Sequence, residues 1–104
     1  MIVKLSRLAQ KDIQKYGKYL MKEVSEDFSY QFSVNMTKQL RLISKNTKIG
    51  NSNVTIFVKN NNVRYFLFRK YKLIIFYEII STHINVIRVF GTSMDKINIL
   101  DIQS

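Results

Sequence analysis

The hydrophobic period of this chain changes near its middle, and that change restricts the fold more than any other feature. From Ser6 to about Glu23 the apolar residues Leu8, Ala9, Ile13, Tyr16, Tyr19 and Leu20 recur at helical spacing, with Lys11, Lys15, Lys18 and Lys22 between them. Such spacing makes one apolar stripe on a helix with a solvated basic back. Ser25-Glu26-Asp27 opens a second helix, because serine caps orphan N–H groups and acidic side chains suit the positive end of the helix dipole. Phe28, Phe32, Met36, Leu40 and Ile43 supply its stripe, to about Ser44. Polar turn material follows, from Ser44 to Asn53, and then the helical period is gone. Val54–Lys59, Val63–Lys70, Lys72–Ile80 and Ile84–Phe90 are rich in β-branched and aromatic residues and are separated by short polar breaks. Strands joined in sequence look like this.

Ile2–Leu5, short and partly β-branched, precedes the N-cap Ser6 and reads as a first strand. The expectation is an α+β fold: a short N-terminal strand, an αα-hairpin, then an antiparallel three- or four-stranded meander with the helices packed on one face. Leu73 to Tyr77 is apolar at every position. That predicts a central strand covered on both faces, by helices on one side and by the tail or a partner on the other. The tail, Ser93 to Ser104, carries Ile97, Leu100 and Ile102 and is expected to add a short helix or strand. At 104 residues the chain makes a single domain, 1–104, long enough to bury about two-thirds of its unfolded surface without staples.

Several chemistries are excluded. There is no cysteine, so thiolate zinc sites, disulfides and thiol nucleophiles are absent. No Gly-rich phosphate loop, close carboxylate pair or metal-ligand cluster stands out, and neither metal nor cofactor is expected. Met1 to Leu8 has no signal-peptide pattern. The longest apolar run, Leu73–Ile80, contains Glu78 and falls far short of the ~20 residues that span a bilayer. No membrane association and a cytoplasmic location are therefore expected. Lys and Arg total 17 against 7 Asp and Glu, a formal charge of +10. A chain so charged presents a positive field, suited to nucleic acid or to an acidic protein.

The candidate binding residues are Arg64, Arg69, Lys70, Lys72 and Arg88, on or at the ends of adjacent strands, where they can converge on one face. Arg64 and Arg88 interrupt otherwise apolar strands. Arg69, Lys70 and Lys72 suit equally well a sheet edge guarded against pairing. His83, the only histidine, lies in the break Ser81–Asn85 and reads as an exposed turn residue. Tyr65, Phe66, Phe68, Phe76 and Tyr77 could form a stacking platform for single-stranded nucleic acid, but core packing against two helices is the better account.

Leu5-Ser6-Arg7-Leu8-Ala9-Gln10-Lys11-Asp12-Ile13 resembles the opening of the RelE/ParE superfamily of toxins, where a strand runs into a Ser-x-x-Ala-x-x-Asp-apolar helix start. Arg64-Tyr65-Phe66, Leu73 to Ile79, and Val86-Ile87-Arg88-Val89-Phe90 with Asp95 behind them resemble that family's last three strands. The resemblance spans residues 1 to about 95. It implies the toxin of a type II toxin–antitoxin pair, neutralised in a hetero-oligomer by an acidic, partly disordered antitoxin. Members of the RelE type cut ribosome-bound messenger RNA without metal, using sheet cations and residues after the last strand. Here Ile74 stands where an arginine of that set belongs, unless Tyr71-Lys72 takes the place, and Gly91, Thr92, Ser93 and Met94 follow the last strand. A ribonuclease would have to rely on Lys59, Arg64 and Lys72. Members of the ParE type share the fold and act by binding DNA gyrase. Arg88-Val89-Phe90 through Asp95 is similar to their ending, with Gly91 and Met94 replacing the usual His and second Arg. The resemblance thus implies a growth inhibitor that binds gyrase. A ribosome-dependent endoribonuclease and a basic nucleic-acid-binding domain are the alternatives.

Overall fold

Ser6 and Ser25 set the helical half of the molecule. In the computed structural model, which describes residues 1–52 and 62–92, each serine is extended and accepts a hydrogen bond from the amide three residues on, Ala9 and Phe28. Helix α1 (Arg7–Glu23) and helix α2 (Glu26–Lys45) follow directly from these caps. Ser29 Oγ donates to the Gly17 carbonyl at 2.7 Å and joins the two helices where they face each other.

Strand β1 (Ile2–Leu5) precedes the helices; β2 (Val63–Phe68), β3 (Leu73–Ile80) and β4 (His83–Gly91) follow them. The sheet order is β1-β4-β3-β2. Strands β2, β3 and β4 form the expected antiparallel meander, while β1 lies parallel beside β4, pairing Ile2 with His83 through Leu5 with Val86. The sheet is therefore mixed. The expected strand Val54–Lys59 and the tail from Ser93 lie outside the described residues.

On one face the apolar run of β3 has the predicted cover of helices, whereas the tail expected over the other face lies outside the described residues. Leu73, Ile75 and Tyr77 join Phe32, Met36, Leu40 and Ile43 in the main core, and Phe76 packs with Val63 and Phe90 in a second cluster. In β4, Ile84 and Val86 face the main core and so does Val89, an odd step along a strand. The pairing explains it: Tyr77 opposes Val86 and Phe76 opposes Arg88, so Ile87 is an extra, bulged residue. Without that bulge, strict alternation would turn Arg88 into the core and Val89 out of it.

Candidate functional site

Beyond Leu5, β1 has ended and β4 continues alone, so its outward backbone groups from Ile87 on need other partners. The first turns of α1 supply them. Ser6 Oγ donates to the Ile87 carbonyl at 2.6 Å, and the Val89 amide donates to Asp12 Oδ2 at 2.9 Å. Ala9, fully buried between these two positions, leaves room for the helix to lie close. Arg88 then closes the arrangement with a fork on Asp12, Nε to Oδ2 at 2.8 Å and Nη2 to Oδ1 at 3.0 Å. Its guanidinium carbon sits 4.5 Å from the centre of the Phe90 ring. The Ser6-x-x-Ala9-x-x-Asp12 spacing is thus the repeat of one helix face along the side of one strand.

Beside this lock lies a cleft of about 560 Å³, with Lys15, Tyr16 and Tyr19 of α1 on one wall and Tyr71, Lys72 and Gly91 on the other. Its floor is aromatic. The Tyr16 ring stands edge-on to Phe32 at 5.0 Å, and Phe32 to Tyr71 at 5.0 Å. Tyr16 donates to the Tyr71 carbonyl at 2.9 Å, and Asn35 Nδ2 donates to the Tyr71 hydroxyl at 2.7 Å. Burial raises the Tyr16 hydroxyl above its ordinary pKa, with Tyr19 and Tyr71 adding to the rise, so this hydroxyl stays neutral and serves as a donor.

Lys72 has φ 54° and ψ 48°, in the left-handed region. It is the only non-glycine residue with positive φ among the described residues. A lysine there costs about 1 kcal/mol relative to glycine. Its amide donates to the Arg69 carbonyl and its carbonyl accepts from the Thr92 amide at 2.8 Å, so the turn is held from both sides. The side chain stays exposed at the mouth of the cleft. Arg88 is already matched by Asp12, whereas neither Lys15 nor Lys72 has an ion pair among the described residues. The cleft is therefore an aromatic hollow with a cationic rim.

Residues 3–96 match the sequence family described as ParE toxin of type II toxin-antitoxin system, parDE. The chain belongs to the ParE toxin family. No curated protein matches it closely enough to count as a relative. Among solved structures it is similar to a chain of the chromosomal ParDE TA system from P. aeruginosa, with a TM-score of 0.73 and 13% identity over 89% of this chain and 97% of that one. At that identity the likeness is one of fold.

Within this ParE-family fold the candidate cations separate into three places. Lys72 and Arg88 meet at the cleft. Arg69 and Lys70 form a short 3₁₀ turn with Tyr71, exposed at the β2–β3 corner, and line a groove along the outer edge of β2. Arg64 is paired with Tyr77 at the far end of the β2–β3 hairpin, where its Nη1 donates to the Gly50 carbonyl at 2.8 Å. About four strand steps, roughly 13 Å, separate that position from the start of β3, so Arg64 and Lys72 are not brought together. Lys59 lies outside the described residues. His83 opens β4 opposite Ile80 and beside Ile2, rather than standing in the turn, and its Nδ1 lies 3.1 Å from Thr82 Oγ1. Ile74 packs against the second cluster and Gly91 lines the cleft without a side chain.

Sequence reading missed Lys15 and Tyr19 as site residues. Lys15 belonged to the solvated helix face, and Tyr19, 57% exposed, to the apolar stripe. One signal was available: a tyrosine at the margin of a stripe, beside lysines, marks an amphipathic border more often than a core.

Proposed function

We propose that the chain is a growth-inhibiting toxin that acts by binding a cellular target such as DNA gyrase and is neutralised by an acidic, partly disordered cognate antitoxin. Membership of the ParE family carries this reading. The cleft supports it: Lys15 and Lys72 rim a tyrosine-lined hollow, a surface that presents positive charge and amphipathic rings to a partner. A ribosome-dependent ribonuclease needs converging cations that move a proton and stabilise charge at one phosphate. Arg64 and Lys72 stand at opposite ends of a hairpin, and Arg88 is bound to Asp12. Binding therefore explains this arrangement better than cutting, and a plain basic nucleic-acid-binding domain leaves the family match unexplained. The antitoxin fits the +10 charge, because complementary charge speeds encounter.

Induction of the chain alone tests the proposal. DNA supercoiling is expected to fail while ribosome-bound messages stay intact. Lys72→Gly is the informative variant. It relieves the left-handed strain, so stability is expected to hold or rise by about 1 kcal/mol, while growth inhibition weakens at least tenfold. Cleaved messages that disappear in Lys72→Ala would establish the ribonuclease instead.

A further inference from the structure

One face of α1 is used neither by the core nor by the Asp12 lock, and the cleft touches it only at Lys15. At about 3.6 residues per turn, Arg7, Lys11, Lys15, Lys18 and Lys22 fall within an arc of about 80°, and no other residue of the helix lies inside that arc. A rise of about 1.5 Å per residue makes them a ridge about 22 Å long. All five are exposed, and none has an ion pair among the described residues. The two acids of α1 lie off the ridge: Asp12 is held by Arg88, and Glu23 ends the helix.

Contact with water alone does not call for this arrangement. A solvated helix face ordinarily mixes signs, as the exposed residues of α2 do with Glu26, Asp27, Thr37, Lys38 and Arg41. On α1 each cation stands three or four residues from the next, Arg7 to Lys11, Lys11 to Lys15, Lys15 to Lys18 and Lys18 to Lys22. Like charges at that spacing destabilise a helix. The ridge therefore carries a repulsion that a polyanion lying along it removes.

We infer that the α1 ridge grips the phosphate backbone of duplex DNA. A duplex presents one negative charge per about 1.7 Å of its axis, a rigid line of charge to match a rigid line of cations. Lysines hold phosphates as point charges, so the contact positions the chain without reading sequence. Other polyanions fit less well. The cores of protein interfaces are poor in lysine, and the arc has no apolar or aromatic residue to anchor an acidic protein. A membrane surface would need the apolar side of α1, and Ala9, Ile13 and Leu20 have already spent it on the core. A flexible single strand needs successive rings to stack on, and the arc carries none. The contact goes beyond the growth-inhibition reading and does not depend on it; it adds a nucleic-acid grip to a chain that binds a protein target.

The test is fluorescence anisotropy of a labelled duplex of about twenty base pairs, titrated with the full chain between about 50 and 200 mM salt. Two unrelated sequences are expected to bind alike, with log K falling against log salt at a slope of about −4. Lys11→Ala/Lys18→Ala breaks every like-charge neighbour pair on the ridge. It is expected to unfold in urea no earlier than the parent, to bind about tenfold more weakly or worse, and to lose about 2 from the slope. Lys4→Ala/Lys48→Ala removes the same charge from exposed positions off both helices and is expected to leave affinity within about twofold. The inference is overturned if the duplex does not bind, or if the two double variants weaken it equally, which would mean diffuse charge alone. It is overturned too if a single strand, poly-glutamate or phosphatidylserine vesicles of matched charge displace the duplex. Growth is not the readout, so a chain that grips DNA without toxicity removes the target reading alone, and a toxic chain that ignores DNA removes the ridge alone.

Discussion

Asp12→Ala is expected to destabilise the fold more than any other single charge removal, by about 2–4 kcal/mol. The reasoning begins with what the carboxylate does: it accepts three hydrogen bonds, two from Arg88 and one from the Val89 amide. Both partners are largely shielded, with side chains 16% and 14% accessible. Removing one member of a buried pair costs about 3–5 kcal/mol, and the remaining solvent access reduces that figure. Arg88→Ala is expected to cost less, about 1–2 kcal/mol, because Asp12 keeps the Val89 amide. Arg88→Lys is expected to fall near Arg88→Ala, since an ammonium cannot make the fork. Urea unfolding of the single and double variants measures the coupling, and additive losses would show that the pair is not a unit. The same series sorts Arg88 between its two readings. If inhibition falls only in proportion to folded protein, Arg88 holds the scaffold; if it falls in a fully folded variant, Arg88 also touches the target.

That pair shows what the sequence made legible and what it did not. Both helices and their caps followed from period and from Ser6 and Ser25, and β1 followed from Ile2–Leu5, because these are local signals. The parallel pairing of β1 with β4 did not follow, since it joins residues some eighty positions apart with no local trace. The bulge at Ile87 was hidden for a related reason: Val86-Ile87-Arg88-Val89-Phe90 reads as an apolar strand with one interruption, and only pairing with β3 shows which residue is extra. Arg88 is unusual in such a strand, yet its partner sits on a helix near the other end of the chain. The sequence marks Lys72 only by its charge, and no local signal announces its left-handed backbone. The same signal marks Arg64, which holds a loop through the Gly50 carbonyl. Charge marks a residue as costly to bury, and only the fold says whether a carboxylate, a carbonyl or a partner repays that cost.

Tyr77→Phe is expected to destabilise the chain by about 1–3 kcal/mol, although it removes a single oxygen. Tyr77 is fully buried, and its hydroxyl joins the sheet to the segment after α2. It donates to the Thr47 carbonyl at 2.7 Å and accepts from the Gly50 amide at 2.9 Å, while Arg64 holds the Gly50 carbonyl. Phenylalanine leaves both backbone groups orphaned. Gly50→Ala attacks the same joint from the other side. A Cβ there would lie 2.5 Å from the Tyr77 hydroxyl oxygen, 2.8 Å from its ring and 2.9 Å from the Tyr65 carbonyl, an overlap expected to cost about 1–3 kcal/mol. The pH dependence separates the two variants. Burial raises the Tyr77 pKa above the ordinary 10.0, against the lowering effects of the Gly50 amide and Arg64. The folded chain therefore keeps this proton to higher pH than the unfolded chain does. Its contribution is whole below about pH 10 and is lost as pH rises through the folded value. Tyr16, also raised by burial, acts in the same sense. Urea melts from pH 7 to 11 are expected to show a shallower alkaline decline for Tyr77→Phe than for the parent, with Gly50→Ala retaining a decline because its tyrosine still titrates. An unchanged slope in Tyr77→Phe would mean that this hydroxyl ionises alike in both states and that the joint is held by packing alone.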